Sequence, residues 1–397
     1  MIRSAMNVIR KKGKPLITDY EYLNDSRYFA QIDEGIKDVG AEELAELGAR
    51  GVSPVYRGIY FTADQKTLYR INYMSRLISR VLAPLVSFDC PDTDTLYETA
   101  KQIRWSDFFR ADTTFAVDGN VANSRITHSQ YAALCLKDAV VDSLRFKTGM
   151  RPDVSARDPD VLLNLYIHKD RAVISVDTSG GPLHKRGYRE DTVSAPMQET
   201  VAAAIIRVTG WKGSIPLYDP MCGSGTLLCE ALMHFCRIPS GIFRKKFGFE
   251  ALPDFDPQEW NAVKIKADSA IRELPEGRIA GSDLSEQAVH ITKTNLMGLH
   301  SGTRVRVIRS DFSALPTLEN QTIVANPPYG IRMGKHQDLD AFYKKLGDFL
   351  KQKCRRSAAY VYFGDPAYIK KIGLKASWKK PIQAGGLDGR LVKYELY

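Results

Sequence analysis

The sequence predicts an α/β fold built on a mostly parallel sheet, with a separate α+β region ahead of it. Three observations carry this. From about residue 195 to the end, short apolar runs alternate with helical patterns, as they do in a parallel sheet covered on both faces. The final stretch, "KKPIQAGGLDGRLVKYELY", departs from that alternation and reads as an antiparallel hairpin around a glycine-rich turn. Before these, residues 27 to about 92 run strand, helix, strand, strand, helix, strand, the order of a small ferredoxin-like unit.

The elements follow in order. "RYFAQI" is a strand, and the helix after it carries Val39, Leu44 and Leu47 on its apolar side. "GIYFTAD" is a strand, and "LYRINYMSRLISRVLAPLVSF" a helix running into a strand. In a second unit, "TTFAVDGNV" alternates like a strand. "HSQYAALCLKDAVVDSLRFKTG" is a helix closed by Gly149, and "VLLNLYIHKDRAVISVDTSG" is a hairpin turning at "KD". Then come the strands "SIPLYDP", "RIAGSD", "RVRVIRSD", "TIVANPP" and "SAAYVYFG". They are interleaved with the helices "TLLCEALMHFC", "SEQAVHITKTNLMGL" with Ser285 as its N-cap, and "LDAFYKKLGDFLKQKC". The expected boundaries are 1–92, 93–180 and 181–397.

Composition narrows the setting. A chain of 397 residues exceeds one ordinary core. The 56 Lys and Arg outnumber 46 Asp and Glu, and the net charge of +10 suits a polyanionic partner. No apolar run reaches the ~18 residues of a membrane helix, and "MIRSAMNVIRKKGKP" reads as a short leader without a secretory apolar segment. The six cysteines include no CxxC pair, so no metal site is expected and a reducing cytoplasm is. Cys229 and Cys236, seven apart on one helix, read as buried thiols.

The chemistry-bearing residues stand at strand ends. In "LYDPMCGSGTLLCEAL" a strand ends at Asp219 and a helix begins near Thr226, with Gly223 and Gly225 allowing close backbone approach to a ligand. Leu228 stands where a dinucleotide fingerprint needs its third glycine, and no Gly-Lys-Ser/Thr follows, so neither the dinucleotide nor the P-loop reading fits. The next two strands end in Asp283 and Asp311, which in a doubly wound sheet face the ligand crevice. An acid at the second strand end is well placed to accept ribose hydroxyls. Asp311 with Phe312 can take an adenine amine and cover the ring. The fourth strand ends in "NPPY". A strand-stopping turn explains Pro327 and Pro328 but neither Asn326 nor Tyr329.

This order resembles the class I S-adenosylmethionine-dependent methyltransferases. The resemblance implies a Rossmann-like, mostly parallel seven-stranded sheet with a terminal antiparallel hairpin. It implies cofactor contacts from Asp219, Cys222, Gly223, Gly225, Thr226, Asp283, Leu284, Asp311, Phe312 and Asn326. "NPPY" is similar to the motif of enzymes that methylate planar nitrogens, with Asn326, Pro327, Pro328 and Tyr329 as the catalytic group. Such a nitrogen is a poor nucleophile because its lone pair is delocalised. The Asn326 side-chain oxygen and the rigid Pro327 carbonyl can accept its two N–H bonds, and Tyr329 can stack on the flipped base. One departure is an insertion of some 40 residues, 237–277, which can lengthen a helical layer or touch substrate.

Adenine N6, cytosine N4, guanine N2 and a glutamine amide all suit such a motif. Residues 93–180 look like a THUMP RNA-binding domain behind its ferredoxin-like partner. "GGPLHKRGYRED" places Lys185, Arg186, Tyr188 and Arg189 as expected RNA contacts. The whole layout resembles the bacterial THUMP-domain RNA guanine-N2 methyltransferases typified by the N-terminal half of RlmL. It implies guanine N2 in 23S rRNA as acceptor, with tRNA guanine-N2 methylation, a non-catalytic RNA-binding factor and a DNA methyltransferase as alternatives. The chain closes after the hairpin, so the second methyltransferase domain of the fused enzymes is expected to be absent, with a monomer slightly favoured.

Overall fold

The computed structural model describes residues 15–149, 151–155, 157–189, 196–328, 338–383 and 388–397. Its first half opens with a short helix α1 (Glu21–Asp25) and then follows the expected ferredoxin-like order. The elements are β1 (Arg27–Gln31), α2 (Lys37–Glu46), β2 (Arg50–Val55), β3 (Gly58–Thr62), α3 (Gln65–Met74) and β4 (Arg80–Asp89). Next come α4 (Thr93–Gln102), β5 (Thr114–Ala122), α5 (Ser129–Thr148), β6 (Asp153–Val154), β7 (Val161–His168) and β8 (Arg171–Asp177). Gly149 does close α5, at φ 73°. The "KD" turn of the β7–β8 hairpin has positive φ at both Lys169 and Asp170, the twist that two-residue hairpins favour.

These two units share one eight-stranded sheet in the order β2-β3-β1-β4-β8-β7-β5-β6. The ten residues of β4 make this possible. Its start pairs with β1, and Leu82 to Asp89 run along β8 with a bulge between Pro84 and Val86. A proline, lacking an N–H, is tolerated at such an irregularity.

The second half builds a seven-stranded sheet of order β11-β10-β9-β12-β13-β15-β14. It begins with α6 (Glu199–Thr209), β9 (Leu217–Asp219), α7 (Thr226–Cys236) and α8 (Pro257–Asp268). It continues with β10 (Ile279–Asp283), α9 (Glu286–Met297), β11 (Arg306–Arg309), β12 (Thr322–Ala325), α10 (Leu339–Lys353) and β13 (Ser357–Phe363). The closing strands β14 (Trp378–Pro381) and β15 (Arg390–Leu396) form the expected hairpin, whose turn, 384–387, lies outside the described residues. Strands β9 to β13 run parallel, and β15 lies antiparallel to β13. The order reverses between β9 and β12, which creates the crevice where such sheets bind ligands.

The insertion has a structural role that its sequence does not specify. Phe247, Phe249 and Trp260 pack on α3, with Tyr69–Phe249 and Tyr73–Trp260 ring centroids 4.6 and 5.3 Å apart. The Tyr73 hydroxyl donates to Asp268 at 2.6 Å, and Ser240 donates to the carbonyls of Tyr73 and Ser75. Arg244 donates to the Ser179 carbonyl at 3.0 Å. The insertion therefore docks the catalytic half on the front half, and aromatic pairs of this kind add about 0.5–1.5 kcal/mol each beyond burial.

Candidate active site

The site lies at the carboxyl ends of β9, β10, β11 and β12. Asp219, at the end of β9, is buried and receives the Met221 N–H at 3.1 Å. Burial pushes its carboxyl up to about 8, against that N–H, with the Asp283 charge adding to the rise. The chain then turns through Gly223 and Gly225, at φ 57° and 79°. Gly225 is the N-cap of α7, and a Cβ there would stand 2.7 Å from Thr292 Cγ2. No side chain caps α7, so its first N–H groups remain available to an anionic ligand group.

Two further residues hold this loop. Thr292 Oγ1 donates to the Gly223 carbonyl at 2.8 Å, and Asn295 Nδ2 to the Ser224 carbonyl at 3.0 Å. Both are buried on α9. Sequence reasoning passed over them, although two polar residues three apart on the inward side of an amphipathic helix were the available signal. Cys222 points inward, its sulfur 3.7 Å from Thr292 Oγ1, and burial raises its thiol pKa. Its side chain thus supports the loop from beneath.

Asp283 is fixed on both oxygens. Oδ2 accepts the Gly223 N–H and Oδ1 the Ser285 N–H, each at 2.9 Å. A carboxylate held this way keeps lone pairs for hydroxyl donors. Beside it Leu284 is 64% exposed, a large apolar side chain with nothing over it. Asp311 caps the short turn Phe312–Ala314, accepting from Ser313 N and Oγ, and lies 3.3 Å from Lys345 Nζ. Partial burial pulls its carboxyl up, but the Ser313 and Lys345 donors outweigh this and hold it below the usual value. Phe312 is buried against Phe342 and Phe349.

Asn326 follows β12 directly. Its side-chain oxygen is buried and has no hydrogen-bond partner among the described residues. An orphaned buried carbonyl costs about 1–3 kcal/mol, so its persistence points to use. Pro327 is buried, and the Pro328 carbonyl accepts the Tyr343 hydroxyl at 3.3 Å. Tyr329 lies outside the described residues.

The expected RNA contacts need correction. Arg186 and Tyr188 are buried, at 1% and 2% exposure, and cannot reach a phosphate or a base. Arg186 Nε stands 3.3 Å from Glu230 of α7, and the Tyr188 hydroxyl donates to the same oxygen. Arg189 is bound to Glu199, to the Met197 carbonyl and to Thr226 Oγ1, behind the cofactor loop. Lys185 alone of the four is exposed. The cluster fails as a surface because Arg186 and Arg189 turn inward to Glu230 and Glu199.

All six cysteines are free. Among the described residues no group of His, Cys, Asp or Glu is arranged to hold a metal, and no helix is long and apolar enough to cross a membrane.

A glycine loop, two strand-end acids and an Asn-Pro-Pro turn around one switch point define a class I methyltransferase, and the eight-stranded front sheet sets it apart from a bare catalytic domain. Family models match along the chain: an RlmL ferredoxin-like domain at 27–82, a THUMP domain at 90–177 and an RMKL-like methyltransferase domain at 186–393. A Synechocystis sp. protein provisionally named RNA methyltransferase slr0064 is 37% identical over 93% of this chain and 97% of its own length. The large-subunit ribosomal RNA methyltransferase K/L of Vibrio campbellii is 34% identical over 94% of this chain, which spans about half (53%) of that relative. The crystal structure of SMU.472, provisionally described as a methyltransferase and complexed with S-adenosylhomocysteine, matches with TM-score 0.83 and 25% identity, over 94% of this chain and 98% of that one. The chain belongs to the RMKL-like methyltransferase family. S-adenosylmethionine is its cofactor, and the fixed Asp283 and the uncovered Leu284 fit a ribose and an adenine.

Proposed function

We propose that this chain methylates the exocyclic N2 amine of a guanosine in RNA, with 23S rRNA as the substrate. The observation that carries the reading is the buried Asn326 oxygen at the fourth strand end, which has no hydrogen-bond partner among the described residues. A buried acceptor without a donor suits a ligand that brings N–H groups. The THUMP domain and the name of the K/L relative support RNA as the polymer, and the resemblance of the whole layout supports guanine.

Bound S-adenosylmethionine supplies an electrophilic methyl group. Everything else falls to the chain. Asn326 Oδ1 accepts one N–H of the amine and the Pro327 carbonyl the other, which draws the nitrogen lone pair out of the ring. Asp283 and the loop at Gly223–Gly225 orient the cofactor. The amine so held would take the methyl group that the cofactor would supply, and its proton would leave to solvent afterwards, so no residue of the chain is required as a strong general base. Rate enhancement comes from orientation and fixed acceptors.

Mass spectrometry of nucleosides from ribosomal and transfer RNA, with and without the gene, tests this. Loss of N2-methylguanosine from 23S rRNA is expected. Loss from transfer RNA alone would move the substrate, and loss of a methyladenosine would overturn the base assignment.

A further inference from the structure

Strand β13 lies beside β12 and parallel to it, with Val361 opposite Ala325. The two strands therefore deliver their ends to the same rim of the sheet. β12 is followed by Asn326, Pro327 and Pro328, and β13 by Gly364 and Asp365. One side chain ties the two ends together. The Tyr343 hydroxyl donates to the Pro328 carbonyl at 3.3 Å, and its ring stacks with Phe363 at 5.5 Å and with Tyr368 at 4.8 Å. Tyr368 belongs to the short 3-10 turn Pro366–Lys370, and Asp365 is the N-cap of that turn.

Other acids on this side of the sheet are committed. Asp311 faces Lys345, Asp340 pairs with Lys371 just past the Pro366–Lys370 turn, and Asp338 caps α10 through the Asp340 and Ala341 N–H groups. Asp365 differs. It is exposed, and its Oδ1 accepts the Ala367 N–H at 2.9 Å. Among the described residues no cation pairs with it, and its Oδ2 accepts no hydrogen bond. A cap occupies one oxygen and leaves the other for a ligand.

The Asn326 clamp alone does not choose a base. Guanine N2, adenine N6 and cytosine N4 each offer two N–H bonds. The ring nitrogen beside the amine differs. In guanine N1 carries a hydrogen, whereas adenine N1 and cytosine N3 present a lone pair. A carboxylate only accepts, so beside the clamp it binds the first and repels the other two.

We propose that Asp365 is the residue that selects guanine, its free oxygen accepting N1–H while Asn326 and Pro327 hold the N2 amine. The inference rests on the guanine reading above. The bond is charge-assisted, and the competing bases have no donor with which to make it. A carboxylate there also offsets the positive charge that grows on the amine as it gains the methyl group.

Asp365→Asn tests this without losing the cap, because asparagine caps as well as aspartate. With its oxygen on the Ala367 N–H, the asparagine turns an NH2 group to the base where the wild type has an oxygen. The assay is methyl transfer by the full chain to 23S rRNA assembled by ligation, with guanosine or 2-aminopurine riboside at the nucleotide that mass spectrometry identifies. 2-Aminopurine keeps the N2 amine but has a lone pair at N1. On guanosine kcat/KM of the variant should fall about 10–100-fold, as loss of a charged hydrogen bond does. On 2-aminopurine the variant should be no slower than wild type, so the preference for guanosine collapses or reverses. A guanosine rate within about two-fold of wild type would overturn the proposal and leave N2 methylation standing. An equal fall on both RNAs would also overturn it, as the mark of a purely structural role. A wild type that forms N6-methyladenosine would sink the guanine reading itself, and the role of Asp365 with it.

Discussion

Glu230→Gln removes one negative charge from the junction between the two halves and keeps the shape. Glu230 and Arg186 side chains are both fully buried, 3.3 Å apart, and Tyr188 donates to the same carboxylate oxygen. Arg76, half-buried, donates to the carbonyls of Met233 and Ile238 at the end of α7. Burial lowers the Arg76 pKa, and the Glu230 charge works against that. The glutamine variant leaves these cations without their nearest compensating acid. Breaking a buried pair from one side costs about 3–5 kcal/mol, a large part of a typical ~5–15 kcal/mol of stability. For a unit of this size that corresponds to roughly 6–20 °C in Tm. Scanning calorimetry on the full chain reads it. The paired replacement Arg186→Met with Glu230→Leu should recover a substantial part, since a matched apolar pair avoids the desolvation cost. A Glu230→Gln midpoint within about 2 °C of wild type would refute the reasoning.

Gly225→Ala forces a Cβ to 2.7 Å from Thr292 Cγ2 at a positive φ, a strain of about 1–2 kcal/mol, so cofactor affinity by calorimetry should fall about ten-fold or more; unchanged affinity would mean that the loop does not hold the cofactor. His184 and His234 are held neutral by burial, with pKa values lowered to about 4 from 6.5. The unfolded chain therefore takes up protons that the folded one refuses between pH 6.5 and 4, and each histidine makes stability fall as pH drops through that window. The raised Asp219 acts in the opposite sense, so the clean readout is a comparison of variants. His234→Gln should lose less stability than wild type between pH 7 and 4.5 in parallel urea titrations, and parallel curves would contradict the assignment.

Much of the catalytic half was legible because its signals are local. Strand-helix alternation, the acids at Asp283 and Asp311 and the Asn326 turn all sit within a few residues of the elements they end. The front half yielded its elements but not its single sheet, because the β4–β8 pairing joins residues about ninety apart in sequence. The "LHKRGYR" stretch misled for a related reason: Arg186 and Tyr188 answer to an acid on an otherwise apolar helix. Ten of the eleven residues of α7 are buried, Glu230 among them, and a lone acid in such a helix demands an internal cation. The insertion's aromatics likewise gave no hint of α3 as their partner. Because they pack on α3, a truncation at residue 180 would expose them, and domain roles are better tested by point variants in the full chain.

The central claim is that Asn326 recognises the acceptor amine. The direct measurement is transfer of labelled methyl groups to 23S rRNA by purified wild type and Asn326→Ala, with mass identification of the product and cofactor affinity measured on the same samples. Wild type should yield N2-methylguanosine. The variant should lose about 10²–10³ in rate, as removal of a single preorganised polar group does, while binding S-adenosylmethionine nearly as well and melting no lower, since it sheds an unsatisfied buried carbonyl. A variant that methylates at the wild-type rate, or that loses cofactor binding and stability together with activity, would contradict the clamp.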